Sequence, residues 1–87
     1  MSATFRYWRI PDQADLAWRY WDGEYVFHHA LSNDTHRLSD AAGAVLLQLM
    51  EGGETEQYEL AESCGMDAEY LDVILSALAK IDFVAWR

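Results

Sequence analysis

The side chains best suited to chemistry are concentrated in one stretch, "HHALSNDTHRLS", at residues 28–39. It holds every histidine of the chain, His28, His29 and His36, together with Asp34, Ser32 and Ser39. A metal site needs three or four converging ligands at fixed distances, with their outer partners in place. His28 and His29 are neighbours on a segment that reads as a strand, so they point to opposite faces and cannot share one ion without distortion. His29 and His36 could face each other across a hairpin with Asp34 near its turn, which gives two or three ligands of mixed kind. The spacing favours ordinary strand and turn residues, and no metal or cofactor is expected.

Nucleophilic catalysis has three candidates, Ser32, Ser39 and Cys64. None sits in a nucleophile elbow or beside a patterned base. Cys64 falls on the inward side of an expected helix, where a small buried thiol is the simplest reading. "EGGE" at 51–54 lacks the Lys and Ser/Thr of a phosphate-binding loop. The chain is therefore expected not to be an enzyme.

The elements that must position these residues belong to one domain, residues 1–87. A chain this short buries roughly 60% of the surface its unfolded form exposes. Its 52% apolar content supplies a packed core. Fifteen acidic residues against six basic ones give a formal charge of −9. That sign disfavours nucleic acid and anionic lipid, whose affinity comes largely from Lys and Arg, and suits a basic or neutral peptide. A lone cysteine excludes an internal disulfide. No apolar run approaches the ~20 residues of a membrane span, and the start lacks the pattern of a signal peptide. A cytoplasmic location is the expectation.

"LAWRYW" (16–21) and "EYVFHHA" (24–30) flank Asp22-Gly23, a strong hairpin signal. On the second strand, Tyr25, Phe27 and His29 should share one face, with Val26 and His28 on the other. "TFRYWRIP", within residues 1–14, reads as an added edge strand or an arm ending at Pro11. Ser32, Asn33 and Asp34 are turn formers, so "THRL" (35–38) reads as a third strand returning antiparallel to the second. Ser39 then caps a helix over about 40–51 that buries Ala42, Val45, Leu46 and Leu49, stopped by Gly52-Gly53. A second helix is expected from Glu56 to Cys64, capped by Thr55 and ended by Gly65. A third follows Asp67 and buries Leu71, Ile74, Leu75 and Leu78. "DFVAWR" closes the chain as a short extended tail. The expected architecture is α+β, a three-stranded antiparallel sheet followed by a three-helix bundle in the order β-β-β-α-α-α. Ala61, Gly65 and Leu71 fit a helix-turn-helix, which makes a winged-helix-like domain the natural expectation.

A winged-helix DNA-binding transcription regulator is the alternative that this pattern raises. Its recognition helix would open with Arg, Lys, Asn or Gln. The third helix opens "DAEYLDV" instead, with Asp67, Glu69 and Asp72, and its single base is Lys80. Peptide binding fits better. Tyr70, Val73 and Ala77 form a second semi-apolar line beside the core stripe of the third helix. Thr35, His36, Arg37 and Leu38, if at a sheet edge, offer unpaired backbone groups to an added strand. Glu69 and Asp72 at the groove mouth would favour Lys or Arg in the peptide. The plainer alternatives are a widened buried face and a solvated charged one.

The stretch "W..W" (18–21), then "GEYVFHHALSNDTHRLSDAAGAVLLQLMEGG" and a helix-turn-helix, resembles the PqqD-like family. More narrowly, it resembles the peptide-chaperone branch associated with a kinase related to the HPr kinase. In that branch a "SGDTH" hairpin leads into an alanine- and leucine-rich helix. Ser32, Asn33, Asp34, Thr35 and His36 stand here at those positions, ahead of Asp40 to Met50, with Asn33 in place of the usual glycine. Asn tolerates the left-handed conformation that glycine supplies. The resemblance runs from about Trp8 to the end. It implies a winged-helix-like recognition module that binds the leader of a ribosomally made precursor peptide and presents it to modifying enzymes or an HPr-kinase-related protein. In that family the leader adds to the third strand and lies against the third helix, which correspond to Thr35–Leu38 and Tyr70–Ala77.

Overall fold

Asp22 and Gly23 both hold positive φ, 54° and 79°, in the computed structural model, which describes residues 6–87. That is the backbone a type I′ turn requires. The turn joins β2 (Leu16–Trp21) to β3 (Glu24–His29), in register from Leu16↔His29 to Trp21↔Glu24. Asn33, at φ 56°, helps return the chain into β4 (Asp34–Leu38), which pairs antiparallel with β3. Directly opposed residues share a face. Tyr25, Phe27 and His29 therefore lie with Leu38, His36 and Asp34, and Val26 and His28 lie with Arg37 and Thr35 on the other side. The first set turns towards the helices, and Phe27 is fully buried.

Ser39 accepts a hydrogen bond from the Ala42 N–H at 3.2 Å and starts α1 (Asp40–Gly52). Gly43, Val45, Leu46 and Leu49 are its buried residues, whereas Ala42 is only half-buried. Gly43 takes the inner place because the Tyr25 ring lies against it and leaves no room for a Cβ.

The expected order β-β-β-α-α-α does not hold. Three more strands, β1 (Tyr7–Arg9), β5 (Thr55–Glu56) and β6 (Ala85–Trp86), form a second antiparallel sheet in the order β5-β1-β6. The "TFRYWRIP" stretch thus supplies the central strand of its own sheet rather than an edge of the hairpin sheet. Thr4 and Phe5 of that stretch lie outside the described residues. Burial of Trp8, 2% exposed, is the physical gain that draws these distant segments together. Its indole N–H also donates to Gln57 at 3.0 Å. The expected tail ends as β6, where Ala85 and Trp86 pair with Arg9 and Trp8.

β5 also displaces the expected cap of the second helix. Thr55 pairs with Trp8, and its hydroxyl donates to the Gly53 carbonyl at 2.8 Å. Glu56 caps α2 (Gln57–Cys64) in its place, accepting from the Tyr58 and Glu59 N–H groups at 2.7 and 3.3 Å. α2 ends at Gly65, φ 66°, with Gly65 N–H to Glu62 and Met66 N–H to Ala61. α3 (Ala68–Lys80) buries Leu71, Ile74, Leu75 and Leu78 as its spacing requires. It closes in the same manner without glycine. Asp82 holds φ 61°; its backbone N–H donates to the Ala79 carbonyl and that of Phe83 to the Leu78 carbonyl, the paired bonds of a Schellman ending. The chain is thus α+β, with two small three-stranded antiparallel sheets and three helices.

The Gly43–Tyr25 contact generates a prediction. Gly43→Ala should lower unfolding stability by about 1–3 kcal/mol through overpacking, despite the helix preference of Ala. Urea unfolding of the two proteins checks it; equal or greater stability of the variant would show that Tyr25 does not pack as described.

Candidate functional site

β4 bonds to β3 on one side only, so its other side is open among the described residues. The strand owes this position to the Asn33 turn and the Ser39 cap, which limit it to Asp34–Leu38. Along it, Thr35 and Arg37 face outward and are exposed, while His36 and Leu38 face inward and are half-buried. The Thr35 hydroxyl is 2.8 Å from Nδ1 of His28, a hydrogen-bonded cross-strand pair that steadies the open strand. His36 stands edge-on to the Phe83 ring at 5.1 Å.

On α3, Tyr70, Val73 and Ala77 are all exposed, Val73 at 66%. They line one flank beside the buried stripe, as helical spacing demands. Asp72 does not join them. It lies on the opposite flank, 3.9 Å from the Arg6 guanidinium, and accepts from the Gln57 amide at 3.3 Å. A hollow at this flank is lined by Asp72 and Glu69 with Arg6, Gln57 and Tyr58. Asp72 therefore serves the side of α3 near β1 and α2, whereas Glu69 lies on the solvent face between that flank and Val73. That hollow includes none of Thr35–Leu38, and the hollow that includes Thr35 contains no residue of α3. Neither hollow joins β4 to the Tyr70–Ala77 line.

His28 and His29 point to opposite faces as their adjacency dictates. Among the described residues no group of three or more His, Cys, Asp or Glu side chains converges to hold a metal ion. His29 is 8% exposed, with Nε2 3.7 Å from a carboxylate oxygen of Asp12 and Nδ1 without a hydrogen-bond partner. Sequence reasoning did not single out Asp12 or Asp82, which line a hollow with His29 and Asp34. Nothing local marks them, because they are far apart along the chain. Cys64 is half-buried, and that burial pushes its thiol above the ordinary range. The Asp40 carboxylate, chiefly by its charge, raises the Tyr20 phenol, with desolvation adding to it.

β2 forms the opposite border of the hairpin sheet, with Trp18, Tyr20 and Trp21 substantially exposed. No helix of the described residues is long and apolar enough to cross a membrane. No protein-family model, curated protein or solved structure matches this chain.

The raised Cys64 thiol should react with a disulfide reagent at pH 8 several-fold more slowly than a cysteine in a short peptide, because the thiolate is the nucleophile. Unfolding in urea should remove the difference. A folded-state rate equal to the peptide's would contradict the burial.

Proposed function

We propose that this chain is a non-catalytic, winged-helix-like peptide-binding module of the PqqD-like kind. It takes the leader of a ribosomally synthesised precursor peptide as an added strand on β4 and offers it to a modifying enzyme or an HPr-kinase-related protein. The open side of β4 is the observation that carries this reading. An extended peptide would satisfy its free N–H and C=O groups. The exposed Tyr70, Val73 and Ala77 line gives apolar side chains of such a peptide a second surface. Main-chain pairing supplies affinity with little sequence preference, and the side-chain contacts supply selectivity.

The charge of −9 agrees with a neutral or basic peptide and opposes a phosphate backbone. Asp67 and Glu69 are exposed at the start of α3, so nothing in that helix favours the DNA-binding regulator.

A peptide encoded beside the gene, fluorescently labelled, tests the reading by anisotropy. Val73→Glu should weaken binding by about tenfold or more, roughly 1.4 kcal/mol, and Leu38→Pro should abolish it. Arg19→Gln, on the outer face of β2, should leave it unchanged. Amide spectra establish that each variant is folded, which matters most for Leu38→Pro. Undiminished affinity in a folded Val73→Glu protein would refute the α3 contact.

A further inference from the structure

Asp34, the first residue of β4, lines a hollow of about 440 Å³ between the β3–β4 turn, the segment after α3 and Pro11–Asp12. Three carboxylates line it, Asp12, Asp34 and Asp82, and no Lys or Arg does among the described residues. His29 lines it too, nine-tenths buried: Nε2 is 3.7 Å from Asp12, in no hydrogen bond, and Nδ1, sealed inside the protein, has no partner either. A buried polar group left without partners is uncommon in a settled core. Leu31 and Val84 give the same hollow an apolar wall.

We infer that this hollow is a receptor for an arginine side chain, carried by the peptide that adds to β4. The occupant rests on the strand-addition reading; the chemistry of the hollow does not. The carboxylates present acceptor oxygens, and a guanidinium presents five N–H donors spread over a planar fork. A metal ion requires ligands converging on a point, which the described residues do not provide. A guanidinium, by contrast, pairs with acceptors arranged around it. The methylene stem of arginine would lie on Leu31 and Val84 while its head meets the aspartates. Asp34 both begins β4 and lines the hollow. A residue of the added strand that pairs at or just beyond Asp34 is therefore the one whose side chain enters.

The probe is Nα-acetyl-arginine amide, titrated into isotope-labelled protein at low salt, with the uncharged citrulline analogue as control. The arginine probe should give saturable shifts at the amides of Asp34, Asp82 and Val84 and at the His29 ring, with a Kd of about 1–10 mM. Citrulline should give none. Asp34→Asn combined with Asp82→Asn should weaken the response at least tenfold while the rest of the amide spectrum stays in place. Asn is accommodated at the positive φ of position 82, so that change keeps the loop. Equal shifts from arginine and citrulline, or none up to about 50 mM, would overturn the inference. An equal response to acetyl-lysine amide would overturn the choice of guanidinium over ammonium. Because the probe forms no strand, its failure leaves peptide pairing on β4 intact. Loss of peptide pairing likewise leaves the probe's result standing.

Discussion

The contact between Phe27 and Phe83 holds the hairpin sheet to the helices. Phe27 lies at the centre of the inner face of β3 and is wholly buried; Phe83 is 2% exposed, with its ring centroid 6.3 Å away. Phe83 reaches that position because α3 ends in a turn that folds the chain back under the sheet, through the bond from its N–H to Leu78. From there its ring meets His29 and His36 on neighbouring strands. One aromatic side chain thus sets where β3, β4 and the end of α3 stand relative to each other.

The second sheet answers a different constraint. Trp8 is too large to remain in water without loss, and the short strands β5 and β6 exist because its backbone neighbours need partners once it is buried. Arg6 packs over the Trp86 ring at 4.4 Å and approaches Asp72, and Arg87 reaches Glu54 at 2.8 Å. Two of the six Lys and Arg residues of an acidic chain are thus occupied around this small sheet. The acidic groups near the Asp34 end of β4 are left without such partners among the hollow's lining residues.

The sequence made the hairpin legible because it is written in local chemistry: Asp22-Gly23 at the turn, alternating aromatics beside it, and Asn33 and Ser39 at the next two corners. The buried stripe of α3 was legible for the same reason. The second sheet was not, since two-residue strands have no periodicity and their partners lie some fifty residues away, as Tyr7 and Glu56 do. The cap of α2 was misread by one position, because Thr55 is a good capping residue by type but is held in that sheet. Asp82 hid the end of α3 by standing where glycine is usual. Of the candidate site, the strand and the exposed α3 line could be read from residue types and spacing. The position of Asp72 on the other flank was also available from helical spacing; its partners Arg6 and Gln57 were not, because no local pattern connects them to it.

The central claim is that β4 receives a partner strand. Its most direct measurement is a set of intermolecular nuclear Overhauser effects between labelled protein and an unlabelled leader peptide. The account predicts cross-strand contacts from the peptide backbone to Thr35, His36, Arg37 and Leu38 in a regular ladder. Saturable binding with the ladder on the β2 edge at Trp18 and Tyr20, or with no ladder, would contradict it.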